Sequence, residues 1–167
     1  MKFLILFFLT ITTIFANSSK EILLLHSYNN GLKWTDGITQ GIKEILDKYP
    51  EFELTIEYMD SKKIDSQEYF DILMNLYEKK FSNRKYSVVI AADNYAYEFV
   101  LKNHKKLFDE SSVVFTGVEN FDKDFIPLEL KKYVTGVVEY KEIKENIELI
   151  KKTITDLNTL YIISDDT

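Results

Sequence analysis

The feature that most constrains this fold is a short apolar run that ends in a polar loop and is followed by a helix. Residues 22–25 are Ile-Leu-Leu-Leu, which is typical of a strand buried on both faces, and polar residues 26–31 follow at once. Apolar residues then recur at helical spacing in 38–46, where Thr35 or Asp36 is expected to cap the first turn. A strand, a loop and a helix in this order open a βαβ unit.

The same alternation continues to the end of the sequence. Residues 52–58 alternate between apolar and polar, which favours a strand at a sheet edge. Further strands are predicted at 86–92, 112–118, 134–138 and 160–163, and further helices at 67–81, 95–108 and 142–157. Because parallel strands require such crossovers, we predict an α/β fold: an open, mostly parallel five-stranded sheet with helices on both faces.

The first 16 residues resemble a secretory signal peptide. Lys2 precedes an apolar stretch at 3–15, Ala16 stands at the cleavage position, and residues 17–20 are polar. The chain has no Cys, which excludes a disulfide framework and lipid attachment through Cys. We therefore expect a periplasmic or otherwise secreted protein.

The charge of the chain disfavours two kinds of partner. Without Lys2 the sequence has 20 basic and 27 acidic residues. Such a surface repels phosphate backbones and anionic lipids, so we expect no nucleic-acid partner and no insertion of the mature chain into a membrane.

Ligands of open α/β sheets bind in the crevice beyond the carboxyl ends of the strands. Polar and aromatic residues follow three of the predicted buried strands. The predicted ligand-binding residues are His26, Ser27, Tyr28, Trp34, Asp93, Asn94, Tyr95, Thr116 and Gly117.

A structural role competes with ligand binding at several of these positions. Residues 26–28 either contact the ligand or satisfy backbone groups at the end of the strand. Trp34 either stacks on a ligand or anchors the start of the helix, and Asp93 either pairs with a cationic group or caps a helix. Gly117 allows close backbone approach, which a tight turn requires as well.

Enzyme motifs are missing from the sequence. It has no Gly-rich phosphate loop, no G-x-S-x-G motif and no Cys nucleophile, and its two histidines, His26 and His104, are far apart. We therefore predict no catalytic residue, metal site or cofactor, and expect His104 to lie in solvent. The alternative is a flavodoxin-like enzyme or a receiver-like domain with Asp93 and Thr116 in its site. A receiver, however, needs acidic residues after its first strand to hold magnesium, and works in the cytoplasm.

Several segments carry a resemblance to a known family. They are Leu24-Leu25-His26-Ser27-Tyr28, Trp34-Thr35, Gly41-Ile42, Ala92-Asp93-Asn94, Ala96, Leu107-Phe108, Val113-Val114-Phe115-Thr116-Gly117-Val118 and Thr135-Gly136-Val137. In this order they resemble the type I periplasmic solute-binding proteins, in particular the ABC-transporter substrate-binding-like family. The same module is found as the extracytoplasmic sensor domain of histidine kinases and diguanylate cyclases.

The resemblance implies two α/β lobes that trap a small-molecule ligand between them. Residues 20–140 would form the first lobe, and residues 141–167 a crossover helix and the first strand of a truncated second lobe. The implied partner is the membrane component of an ABC importer or a C-terminal signalling module. We expect one lobe alone to be incomplete as a receptor, and the identity of the ligand stays open.

Overall fold

The computed structural model describes residues 20–163, so the predicted signal peptide at residues 1–16 lies outside the described residues. Strands and helices alternate along the chain. In order they are β1 (Lys20–His26), α1 (Lys33–Leu46), β2 (Phe52–Tyr58), α2 (Gln67–Phe81), β3 (Tyr86–Ala92), α3 (Asp93–Leu107), β4 (Ser112–Glu119), a 3-10 turn (Lys123–Phe125), β5 (Val134–Glu139) and α4 (Ile143–Thr153).

The five strands form one sheet in the order β2-β1-β3-β4-β5, and every neighbouring pair is parallel. The predicted α/β class and the edge position of β2 are confirmed. The direction in which strands are added reverses between β1 and β3. The carboxyl ends of these two strands therefore flank the switch point at which open α/β sheets bind ligands.

One face of the sheet is buried beneath α2 and α3. Its odd-numbered side chains pack against large residues of the two helices to form the main core. The members include Leu23, Leu25, Val89, Ala91, Val113 and Phe115 from the sheet, and Leu73, Tyr77, Phe81, Phe99 and Val100 from the helices. This core fixes the three central strands in one register.

On the opposite face of the sheet, side chains become more exposed from β1 towards β5. Leu24, Ile90, Val114 and Thr135 are aligned across the four strands. Leu24 is fully buried, Ile90 and Val114 are half-buried, and Thr135 is exposed. Val137, two residues further along β5, is 67% exposed. Among residues 20–163, α1 thus covers the β1 side of this face and leaves the β5 side open.

Helix starts were predicted with mixed success. The sequence predicts Asp65 or Ser66 as the cap of α2. Ser66 is the N-cap, and its Oγ accepts a 3.3 Å hydrogen bond from the backbone N–H of Tyr69. The capping prediction for α1 was wrong, because the helix begins at Lys33 with Leu32 as N-cap. The carboxylate of Asp36 instead accepts a 3.0 Å hydrogen bond from the backbone N–H of Gly31.

His104 is buried, which corrects the expectation that it lies in solvent. Its Nε2 lies 2.9 Å from the carbonyl oxygen of Ser111, and its ring stacks near Tyr133. The loop after α3 returns over the helix and encloses the ring. This tertiary contact is invisible in the helical pattern.

The last described segment packs little. No residue of α4 is buried, and the helix ends four residues before the predicted end at 157. The predicted strand at 160–163 is absent, and Ile163 is 96% exposed. A strand forms only beside a partner, and no other strand of residues 20–163 lies beside this one. No helix in the described part of the chain is both long and apolar enough to cross a bilayer.

Candidate functional site

The ends of β1, β3 and β4 meet at one edge of the sheet and bring the predicted site residues together. The backbone N–H of Ser27 donates a 3.0 Å hydrogen bond to the carbonyl oxygen of Ala92, which joins the ends of β1 and β3. Thr116 is aligned with Ala92 across β3 and β4. Three loops distant in sequence thus border one crevice.

Trp34, Asp93 and Gly117 form the centre of this crevice. The indole Nε1 of Trp34 donates a 2.8 Å hydrogen bond to Oδ1 of Asp93. Gly117 has a φ of +67°, and a Cβ at this position would lie 2.8 Å from the same oxygen and 3.2 Å from Cζ2 of Trp34. Glycine is therefore required here both by the backbone conformation and by the space.

Asp93 is the most unusual residue of the crevice. It is 3% exposed, its φ is +68°, and its Oδ2 is buried without a hydrogen-bond partner among the described residues. It does not cap α3, whose N-cap is Ala92. Burial raises the pKa of Asp93 to about 6, although the hydrogen bond from Trp34 opposes the rise. Glu139 adds to it by charge repulsion.

Two small cavities lie at this edge. One, of about 240 Å³, is lined by side chains that include Tyr28, Trp34, Lys62, Asp93, Glu119 and Glu139. The other, of about 280 Å³, is lined by residues that include Tyr28, Asn94, Tyr95, Gly117 and Glu119. A larger groove of about 570 Å³ runs along α3 towards Phe125, but neither Asp93 nor Trp34 lines it. The two small cavities therefore mark the site.

His26 and Ser27 lie beneath the crevice surface, fully buried. Ser27 Oγ donates to the carbonyl oxygen of Ala92 and accepts from the backbone N–H of Ala96, both at 2.8 Å. His26 Nε2 lies 2.8 Å from Thr39 Oγ1. Burial lowers the pKa of His26 to about 4, so its ring is neutral at physiological pH. Both residues hold the strand ends in place.

The remaining predicted residues differ in their placement. Oδ1 of Asn94 accepts a 2.9 Å hydrogen bond from the backbone N–H of Glu119, which ties α3 to the end of β4. Tyr95 is exposed and its ring stacks on Phe70 with centroids 5.4 Å apart. Thr116 lies on the half-covered face of the sheet and lines neither small cavity.

Sequence reasoning missed three charged residues of the crevice: Lys62, Glu119 and Glu139. Glu119 and Glu139 are the last residues of β4 and β5, and Lys62 follows β2. The strand-end rule that selected Asp93 applies to all three. Their charges suggested solvated positions instead.

Within residues 20–163, no group of three or more His, Asp or Glu side chains is placed to hold a metal ion. No known protein-family model, curated protein or solved structure matches the chain.

Proposed function

We propose that residues 20–140 form a ligand-binding lobe of an extracytoplasmic small-molecule-binding protein. The observation that carries this proposal is Asp93, which is buried at the switch point with one carboxylate oxygen unpartnered. Buried polar groups in folded proteins are nearly always hydrogen-bonded. Among the described residues with a buried side-chain atom that lacks a partner, Asp93 is the one that lines either of the two small cavities at this edge of the sheet. A bound ligand would supply that partner.

The size of the two cavities supports a two-lobed arrangement. At about 240 Å³ and about 280 Å³ they are smaller than typical ligand pockets, which measure roughly 300–1,000 Å³ and bury most of the ligand. Trp34 remains 48% exposed above the crevice. A second lobe closing over these side chains would complete the pocket.

Two roles fit such a lobe, in line with the family resemblance. One is a receptor that delivers solute to the membrane component of an ABC importer. The other is the input domain of a transmembrane sensor, such as a histidine kinase or a diguanylate cyclase. The coding sequence downstream of residue 167 distinguishes them, because a membrane helix followed by a signalling domain would favour the sensor.

A receiver-like domain or flavodoxin-like enzyme is the competing proposal, since the strand order β2-β1-β3-β4-β5 is also that of flavodoxin and receiver folds. A receiver holds magnesium with acidic residues that follow its first strand. This chain has His26 and Ser27 there, and both are engaged in hydrogen bonds within the fold. This difference favours a binding role.

The proposed extracytoplasmic location depends on residues 1–16. Expression from the native start in a bacterium should give a periplasmic product that begins near Asn17, and deletion of residues 3–15 should leave the protein in the cytosol. Unprocessed native protein in the cytosol would remove the extracytoplasmic proposal and favour the receiver-like one.

Binding is best tested through Trp34, the single tryptophan of the chain. A library of small metabolites is screened by tryptophan fluorescence, and hits are mapped by NMR on the ¹⁵N-labelled chain. We expect shifts at the strand ends around Gly117, and none at the opposite end of the sheet around Ser111. Hits that map only to the groove beside Phe125, or no hit at all, would contradict the proposed site.

The two-lobe proposal needs a separate comparison. Calorimetry with any confirmed ligand would compare this chain with a version extended through the following coding sequence. We expect much tighter binding by the extended chain, because a single lobe supplies about half of the contacts. Equal affinities would mean that one lobe is a complete binding module.

A further inference from the structure

We propose that the crevice binds an organic cation, whose ammonium group bonds to Asp93 and whose apolar part packs on Trp34 and Tyr28. This inference rests on the proposed binding function and adds the chemical class of the ligand. It comes from the charges, the rings and the unpartnered oxygen that face the smaller cavity.

The charges around this cavity sum to a negative value. Three carboxylates, from Asp93, Glu119 and Glu139, line it together with one lysine, Lys62. Lys141 adds a second positive charge at the rim, where its Nζ lies 2.7 Å from Oε2 of Glu119. One negative charge remains, and this field attracts a cation and repels a carboxylate or phosphate.

The unpartnered oxygen gives the cation a specific position. Asp93 uses Oδ1 for the Trp34 indole, so Oδ2 is the acceptor that remains, and it lacks a donor among the described residues. An ammonium group carries up to three N–H donors and forms stronger hydrogen bonds with carboxylates than neutral donors do. Asp93 lines this cavity, so an ammonium group bound there would lie beside its carboxylate.

Two aromatic rings complete the match to an organic cation. Trp34 and Tyr28 both line the cavity and offer ring surface to the apolar part of the ligand. Nζ of Lys62 lies 4.9 Å from the centre of the Tyr28 ring, so the ligand shares that ring with Lys62.

Three probes of one shape test the charge requirement: benzylammonium, benzyl alcohol and benzoate. Each is titrated into the ¹⁵N-labelled chain near neutral pH, and the Trp34 indole N–H and the Gly117 amide are followed by NMR. We expect benzylammonium to bind about tenfold more tightly than benzyl alcohol, because both can donate a hydrogen bond to Asp93 but only the ammonium adds the attraction between opposite charges. Benzoate should bind more weakly than either.

Asp93→Asn is the matched variant, because asparagine keeps the shape, can accept from Trp34 and tolerates a positive φ. It should weaken benzylammonium binding about tenfold and benzyl alcohol binding by a smaller factor. Asp109→Asn removes the same charge from an exposed loop and should change neither. Glu139→Gln provides a second readout should Asp93→Asn fail to fold, with an expected loss of about threefold for benzylammonium.

The outcomes separate this inference from the proposed function. If benzyl alcohol or benzoate shifts the same resonances as strongly as benzylammonium, the cation class is wrong and the crevice remains a binding site. Benzylammonium affinity that is unchanged in both Asp93→Asn and Glu139→Gln would overturn the inference in the same way. If all three probes leave these resonances unmoved while metabolites found by the fluorescence screen shift them, only the cation class fails. If neither probes nor metabolites act there, both proposals fail.

Discussion

The indole Nε1 of Trp34 and the Oδ1 of Asp93 are joined by a 2.8 Å hydrogen bond that spans 59 positions of sequence. It connects the first turn of α1 to the first residue of α3. Because Gly117 packs against both side chains, the contact also positions the end of β4. A single side-chain contact thus determines the shape of the crevice.

Replacing Trp34 with Phe should raise the pKa of Asp93 above its value of about 6. The indole N–H stabilises the ionised carboxylate, whereas phenylalanine keeps the ring but offers no donor. Carboxyl ¹³C NMR titration of the parent protein and the variant would measure the shift. A pKa that stays the same or falls would show that the hydrogen bond is weak in solution.

Gly117→Ala should destabilise the fold by about 1–3 kcal/mol, since the added Cβ meets Asp93 and the residue has a positive φ. Gly37→Ala is the matched control. Gly37 lies within α1 with nothing within 4 Å of an added Cβ, so alanine should stabilise the protein by about 0.5–1 kcal/mol. Urea unfolding would compare the two, and equal effects would refute the close packing at Gly117.

Ser27→Ala should cost about 1–3 kcal/mol of stability, because it leaves the buried N–H of Ala96 without an acceptor. Ser87 also donates through Oγ to a backbone carbonyl, that of Glu21, but at an exposed position. Ser87→Ala should therefore stay within about 0.5 kcal/mol of the parent protein. Thermal and urea unfolding would measure both. A Ser27 variant as stable as the Ser87 variant would contradict the structural role given to Ser27.

Lowering the pH should destabilise the fold through His26 and stabilise it through Asp93. The pKa of His26 falls from 6.5 to about 4 on folding, so its contribution to stability is present above pH 6.5 and is lost as the pH falls towards 4. The pKa of Asp93 rises from 3.8 to about 6, so its contribution is present below pH 3.8 and is lost as the pH rises through 6. The two contributions largely cancel in the parent protein.

Single variants should separate the contributions of His26 and Asp93 to the pH dependence of stability. When the pH falls from about 7 to about 5, the free energy of unfolding of Asp93→Asn should decrease by about 1 kcal/mol relative to that of the parent. The free energy of unfolding of His26→Gln should increase by about 2 kcal/mol relative to that of the parent. Urea unfolding at both pH values would give the differences. Identical pH profiles for the parent and both variants would mean that neither group titrates abnormally.

The sheet was predictable because its signals are local. Runs such as Ile22–Leu25 are buried on both faces in the structure, and the alternation of 52–58 did mark an edge strand. The loops of the site followed from the rule for parallel sheets, which requires only the strand ends. Asp93 and Gly117 were found in this way.

What sequence reasoning missed depends on contacts between distant segments. The hydrogen bond from Trp34 to Asp93, the enclosure of His104 by Ser111 and the burial of His26 against Thr39 leave no trace in any local pattern. The helical periodicity of residues 67–81 also predicts an apolar face that includes Ile72, but Ile72 is exposed. The sheet, and not the helix, decides which part of an apolar stripe is covered.

Because burial on the second face of the sheet decreases from β1 to β5, the strands should open in a definite order. Opening β5 exposes little new apolar surface, whereas opening β1 or β3 exposes fully buried side chains on both faces. Amide protons of β5 should therefore exchange with solvent first, by local openings that leave the three strands around Asp93 paired. The sheet can lose its last strand, and Glu139 with it, and still keep Trp34, Asp93 and Gly117 together.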